Sequence, residues 1–155
     1  MLEVLAPVLL MIIGGIITWL LKSRVEELRA TKEKLREERR KIYIDILDPY
    51  IRLFSDFKGQ GGTQALKKLT SYQHRKTAFE LNLFGSDGVV RAYNALMQHA
   101  FKAESSGDKN PKEMMLLWGQ LLLEIRKSLG NKRTELRDLD MLRGMITDID
   151  KFLGA

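Results

Sequence analysis

The chain has 155 residues, a net charge of +6, no cysteine and only three prolines. The lack of cysteine excludes a disulfide framework and a thiolate metal site. Abundant Leu, Met, Lys, Arg and Glu favour helix, and no run of alternating polar and apolar residues predicts a sheet. The composition therefore predicts an all-α protein of modest size.

Residues 1–22 are predicted to form a transmembrane anchor. The segment Val4–Leu21 holds eighteen residues without a charge, and a helix of that length covers about 27 Å, close to the hydrocarbon thickness of a bilayer. The lysines and arginines that follow would stay inside the cell by the positive-inside rule. We expect a single-pass protein of the cell membrane with its N-terminus outside and its C-terminal domain in the cytoplasm.

Four residues of this anchor, and Arg24 directly after it, are candidates for defined roles. Gly14 and Thr18 form a small-xxx-small pair that would let two helices pack closely, although Gly14 could equally be a tolerated residue. Trp19 is expected in the aromatic belt at the inner interface, with Lys22 and Arg24 as charged anchors beside it.

Residues 23–41 are predicted to form a charged juxtamembrane helix. Between Lys22 and Lys41 there are nine Lys/Arg and five Glu. Leucines recur at a spacing of seven, but Lys32 and Arg39 occupy companion heptad positions, which disfavours a regular coiled coil. Two interpretations remain open: a solvated stalk, or an oligomeric neck whose long basic side chains cover the apolar seam.

Residues 42–155 are predicted to form a helical bundle. Its first helix has Ile42, Ile46 and Tyr50 on one face, followed by Leu53, Phe54 and Phe57 in the same phase. The pair Asp48-Pro49 is typical of an N-cap followed by the first helical residue. Because the apolar phase continues across the pair, one kinked helix is favoured over two.

The glycine-rich stretch 59–62 is predicted to be a loop, and it lacks the Lys-Ser/Thr pair of a phosphate-binding loop. A second helix is expected from Thr63 to Phe84. The residues predicted to face inward are Leu66, Leu69, Tyr72, Phe79 and Leu83. The next helix starts after Gly85-Ser86-Asp87 and ends before the polar loop 105–109.

A fourth helix after the neck starts at Asn110-Pro111 and ends at Gly130, which supplies a left-handed residue. Asp138 is predicted to cap a last helix that runs to Leu153. Together the pattern predicts an antiparallel four- to five-helix bundle.

Few residues of the chain are candidates for chemistry. His74 and His99 lie on different predicted helices without an acidic or histidine partner at metal spacing, so we expect solvated or second-layer side chains. Asp148 and Asp150 point in different directions on a helix and do not form a carboxylate pair. We therefore expect no catalytic, cofactor-binding or metal site, and a protein that is not an enzyme.

One polar surface is a candidate for binding a partner. Alternate turns of an antiparallel bundle share an end, so the turns at Gly85 and Asn131 are expected to lie together. Lys132, Arg133 and Arg137 lie beside the second turn and form a possible surface for an acidic partner. An ordinary solvated loop is the alternative.

Two segments resemble known sequences: LNLFGSDGVVRAYNALM from Leu81 to Met97, and the closing stretch from Asp140 to Asp150. They are similar to parts of uncharacterised bacterial and archaeal proteins that join an N-terminal membrane helix to a small helical domain. The resemblance implies this layout, and it implies no activity and no functional residue.

These observations predict a membrane-tethered helical interaction or scaffold module within a homo- or hetero-oligomeric membrane assembly. The alternative is an accessory or effector subunit whose transmembrane helices form or regulate a pore or transporter. The expected partners are the lipid bilayer and a protein, either another chain or a second copy. Nucleic acid is not expected because the basic helix has no interleaved aromatic residues. No small-molecule substrate or cofactor is indicated.

Overall fold

The computed structural model describes residues 2–55, 60–107, 110–146 and 149, with the backbone alone for residues 2–10, 12, 13, 53–55, 60–62, 65 and 66. These residues form helices and turns without a strand, which confirms the all-α prediction. The helices in chain order are α1 (Leu2–Ser55), α2 (Gln60–Leu69), α3 (Tyr72–Phe84), α4 (Asp87–Ser106), α5 (Pro111–Ser128) and a 3-10 helix (Asp138–Met141).

Two compact units divide the chain, residues 1–38 and 39–155, and α1 contributes to both. The second unit has a hydrophobic core whose described buried residues come from α1, α3, α4 and α5 and from the segment after the 3-10 helix. The buried core residues are Ile42, Tyr43, Ile46, Leu81, Val89, Ala92, Tyr93, Leu96, Trp118, Leu121, Ile125, Leu142 and Ile149. On α5, Trp118, Leu121 and Ile125 therefore face the core.

The predicted transmembrane anchor is not supported, because no helix in the described part of the chain is long and apolar enough to cross a membrane. The side chains of residues 4–10, 12 and 13, on which the prediction also relied, lie outside the described residues.

The predicted localisation, a single pass through the cell membrane with the N-terminus outside, is therefore wrong.

The pair Asp48-Pro49 lies inside a continuous helix, so the interpretation as one helix rather than two is confirmed. Pro49 is buried on the same side as Ile46, three residues earlier, and this shared burial keeps the apolar phase unbroken. Asp48 does not act as an N-cap. Its carboxylate instead accepts hydrogen bonds from Arg52, at 3.0 Å, and from Lys68.

The predicted loop at residues 59–62 is wrong in part, because α2 begins at Gln60 and includes both following glycines. Residue 59 lies outside the described residues. The helix predicted from Thr63 to Phe84 is divided in two at Thr70-Ser71. The Ser71 side chain accepts a hydrogen bond from the His74 backbone N–H at 3.2 Å and so caps a new helix, as Ser does at many helix starts.

The buried face of α3 also differs from the prediction. His74, Thr77 and Leu81 are buried, whereas the predicted inward residues Tyr72, Phe79 and Leu83 are between 71% and 80% exposed. The break at Ser71 allows α3 to turn about its axis independently of α2, so the apolar phase of the two segments does not have to match.

The predicted start of α5 is confirmed, whereas α4 begins at Asp87 and extends to Ser106, two residues into the loop predicted at 105–109. Asn110 caps α5 by accepting a hydrogen bond from the Glu113 backbone N–H at 3.2 Å, with Pro111 at the first position. After α5, Gly130 has a φ of 119°, a value that side-chain-bearing residues rarely adopt. The two helices run in opposite directions, because Gly88 near the start of α4 lies against Glu124 near the end of α5, whereas His99 farther along α4 lies 3.6 Å from Glu113 near the start of α5.

The predicted last helix is replaced by the 3-10 helix Asp138–Met141 and a following turn. Arg137, not Asp138, is the capping residue, and its backbone N–H donates to the Asp140 carboxylate at 2.8 Å. The backbone of Asp138 packs directly on Gly119 of α5, where any Cβ would collide with it. This close approach favours a tight turn rather than a full helix. Residues 147, 148 and 150–155 lie outside the described residues.

Candidate functional site

The second unit contains a groove of about 1060 Å³ that is lined mainly by apolar side chains. Its walls come from the ends of α1 and α2, from α3, α4 and α5, and from the turn after the 3-10 helix. The apolar and aromatic lining residues include Tyr50, Ala78, Tyr93, Leu96, Met97, Ala100, Phe101, Met114, Met115, Trp118, Leu142 and Ile146. We call this feature the apolar groove.

An aromatic cluster forms one wall of the apolar groove. The Tyr50 ring lies edge-on to the Trp118 ring at 4.4 Å and to the His74 ring at 6.1 Å between ring centres. The Tyr50 hydroxyl donates a weak hydrogen bond to the sulfur of Met97, 3.8 Å away. Burial, and to a smaller extent Tyr93, raises the pKa of Tyr50 above its usual value. This phenol therefore stays neutral at physiological pH.

His74 brings a polar atom into this apolar wall. Burial, and then the nearby Lys68 ammonium, lower the pKa of His74 below 6.5, so the imidazole is neutral near pH 7. Its Nδ1 is buried and has no hydrogen-bond partner in the described part of the chain. The sequence predicted a solvated or second-layer histidine, and the structure places it in the groove wall.

His99 lies apart from His74, on α4. Its Nδ1 is 3.6 Å from the Glu113 carboxylate at the start of α5. Within the described residues, no three His, Cys, Asp or Glu side chains form a group that could hold a metal ion. His74 and His99 therefore do not form a shared metal site, and Nδ1 of His74, beside the groove, has no hydrogen-bond partner among the described residues.

The rim of the apolar groove is polar, with Arg75 on α3 and Glu104 on α4. Helix α4 lines the groove from Tyr93 to Glu104, which is about 17 Å or three helical turns. Phe101 lies on this stretch and is 58% exposed although it is a large apolar residue. The groove is thus long, open along one side, and bordered by an exposed aromatic ring.

The candidate residues near the N-terminus take part in local contacts along α1. The Thr18 hydroxyl donates to the carbonyl oxygen of Gly14 at 2.8 Å, and the space where Gly14 would carry a side chain is open. Trp19 is 67% exposed. Lys22 pairs with a glutamate four residues later at 4.0 Å, and Arg24 with one three residues later at 3.3 Å.

The turns predicted to share an end are linked through Tyr43. Its hydroxyl lies 2.8 Å from the Ser128 hydroxyl at the end of α5 and accepts a hydrogen bond from the Ser86 backbone N–H at 3.1 Å. Lys132, Arg133 and Arg137 follow α5 and are exposed. Their role as a surface for an acidic partner stays a prediction.

Sequence reasoning missed the apolar groove because each of its walls was assigned to the core. The signal was present in α4, where Met97, Ala100 and Phe101 extend the apolar stripe beyond the residues that the core buries. Met114 and Met115 extend it in the same way on α5. Methionine in such numbers at one place is typical of adaptable binding surfaces.

Neither a protein-family model, nor a curated protein, nor a solved structure was found to match this chain. The apolar groove therefore has to be understood from its own residues.

Proposed function

We propose that this protein is a helical interaction module, without enzymatic activity, whose apolar groove binds an amphipathic helix of a partner protein. One observation carries the proposal: the groove runs along three turns of α4, with methionine and aromatic side chains in its wall and an exposed phenylalanine at its edge. An amphipathic helix that lies in such a groove inserts apolar residues at spacings of three and four.

The length and openness of the groove favour a helix over a small molecule. Small-molecule sites enclose most of their ligand in about 300–1,000 Å³, and this groove of about 1060 Å³ leaves Phe101 largely exposed. A three-turn helix is about 16 Å long, the length of the α4 wall. Met97, Met114 and Met115 have flexible side chains that adjust to the shape of an inserted residue.

The proposal includes the helix arrangement that presents the groove, an antiparallel bundle within residues 39–155. The opposite directions of α4 and α5 support it. So do the hydrogen bonds that join Tyr43 to Ser86, just before α4, and to Ser128, at the end of α5. The interaction module would act as part of a larger assembly.

The test uses Trp118 as a reporter, because this tryptophan lines the groove. In a Trp19→Phe background it is the only tryptophan of the chain. Peptides of about 15 residues are selected from a library of amphipathic helices, and their binding is followed by Trp118 fluorescence. We expect selected peptides to change the emission and to share apolar residues at helical spacing.

Two exposed aromatic residues provide a matched pair of variants. Phe101→Ala should weaken peptide binding at least tenfold, because the bound peptide would bury this exposed ring and aromatic rings contribute a large apolar area to interfaces. Phe79→Ala, which removes a ring that is 71% exposed and does not line the groove, should leave binding unchanged. Equal effects of the two changes would contradict the proposal. A long-chain fatty acid that displaces every peptide, at a concentration below that of the peptide, would also contradict it, because the groove would then be a small-molecule site.

A further inference from the structure

The first unit carries an exposed apolar seam along α1 between Thr18 and Leu35. Leu21, Val25, Leu28 and Leu35 are 63%, 46%, 59% and 38% exposed. Their spacing of four, three and seven places them at the two core positions of a heptad repeat, which lie along one side of a helix. Thr18 and Lys32 complete the seam. A shallow groove of about 410 Å³ lies on its first half.

Charges are segregated around the seam. At about 100° per residue, basic side chains lie on both flanks and acidic ones mainly on the opposite half of the helix. The flanking basic residues are Lys22, Arg24, Arg29 and Arg36, with Lys32 in the seam. The acidic residues on the other half are Glu26, Glu27, Glu33 and Glu37; Lys34 and Glu38 are the exceptions.

The ion pairs within the helix hold these basic side chains only weakly. Lys22, Arg24 and Arg36 each pair with a nearby glutamate, and at least 47% of every partner's side chain is exposed. Such exposed pairs contribute little and are screened by salt. In the described part of the chain, Arg29 and Lys32 take part in no ion pair of this kind. A partner's carboxylates would therefore find these cations accessible.

A second copy of the chain does not fit this surface. In a parallel pair, Arg24 of one copy would face Arg29 of the other, and the two Lys32 side chains would meet inside the seam. In an antiparallel pair, the flank that holds Lys22, Arg29 and Arg36 would face itself. Both arrangements bring like charges together, which is unfavourable at such positions.

We infer that residues 18–38 of α1 form a docking surface for an acidic amphipathic helix of another protein. The partner helix would carry apolar residues at its two core heptad positions and glutamate or aspartate at the flanking ones. Opposite charges at the flanks select both partner and register in paired helices. This surface is separate from the apolar groove, and the inference does not rest on the proposed function of that groove.

The experiment measures binding of two synthetic peptides to the full chain by isothermal titration calorimetry. Both peptides have about four heptads with leucine and valine at the core positions, and they differ only in having glutamate or lysine at the flanks. We expect the glutamate peptide to bind at least tenfold more tightly than the lysine peptide, with an affinity that falls as salt rises.

Charge reversal of one flank provides the decisive variant. We expect one triple variant to reverse the preference and to bind the lysine peptide more tightly: Lys22→Glu, Arg29→Glu and Arg36→Glu. The matched control changes the exposed residues Lys34, Lys67 and Lys102 to glutamate, the same change in net charge away from the seam. It should keep the preference for the glutamate peptide.

Three results would overturn the inference. The first is equal binding of the two peptides, or a preference that the triple reversal leaves unchanged. The second is a dimer in sedimentation equilibrium that Leu28→Glu dissociates, which would make a second copy the occupant. The third is binding of this surface to phosphatidylserine vesicles, abolished by the triple reversal, without binding of the glutamate peptide.

Discussion

The hydroxyl of Tyr43 is expected to stabilise the second unit by holding one end of its helices together. The side chain is 1% exposed, and its hydroxyl contacts both the Ser86 backbone N–H and the Ser128 hydroxyl, at 3.1 and 2.8 Å. Tyr43→Phe removes both hydrogen bonds and leaves the ring in place. The change therefore tests the polar link alone.

The expected cost follows from the two lost contacts. A hydrogen bond contributes about 0.5–1.5 kcal/mol net, and a buried group left without a partner costs about 1–3 kcal/mol. Ser86 and Ser128 are both half-buried, so water reaches them in part and reduces this penalty. We expect the free energy of unfolding to fall by about 1–2 kcal/mol.

The assay is urea unfolding at 25 °C, followed by far-UV circular dichroism. With a slope of about 2 kcal/mol per molar urea, the midpoint should fall by about 0.5–1 M while the slope stays constant. Tyr72→Phe is the matched control, because Tyr72 is 80% exposed and its hydroxyl should contribute less than about 0.5 kcal/mol. In a double-mutant cycle, Ser128→Ala should add less destabilisation when Tyr43 is already Phe.

A Tyr43→Phe variant as stable as Tyr72→Phe would refute this reasoning. It would mean that water replaces the hydroxyl without loss, and that the end of the bundle is held by apolar contacts alone.

Three further predictions concern the same unit. Gly119→Ala should cost about 1–3 kcal/mol in urea unfolding, because its Cβ would meet the backbone of the 3-10 helix, whereas Gly144→Ala, which meets no atom within 4 Å, should change stability by less than about 0.5 kcal/mol. Trp118→Ala should cost about 3–5 kcal/mol, as expected for a buried aromatic side chain, and a melting curve equal to that of the parent would show that this ring is not in the core. The hydrogen bonds and charges of the two basic side chains beside Asp48 hold the pKa of its carboxyl below 3.8, so its contribution to stability is complete above that value and is lost as the pH falls through the folded-state pKa. Asp48→Asn should therefore remove part of the pH dependence of unfolding below about pH 4, and parallel stability curves of variant and parent would contradict this.

Local signals in the sequence were sufficient where a helix end depends on neighbouring residues. Asn110-Pro111 and Gly130 mark the limits of α5 because a cap bonds within one turn and a left-handed residue needs no distant contact. The stripe that buries Trp118, Leu121 and Ile125 follows from helical periodicity in the same way. These elements were predictable because every atom that decides them lies nearby in the chain.

The anchor prediction rested on the apolar composition of residues 4–21 alone. It is wrong, because no helix in the part of the chain that the structure describes is long and apolar enough to cross a membrane.

Tertiary structure alone decided the features that bring distant residues together. The face that α3 buries depends on the break at Ser71 and on its neighbours, not on its own apolar residues, which are largely exposed. The 3-10 helix begins where the backbone of Asp138 packs on Gly119, nineteen residues earlier, a contact that its own sequence does not specify. The apolar groove exists only because parts of five helices leave a space between them, and no periodicity within one helix specifies a space between several.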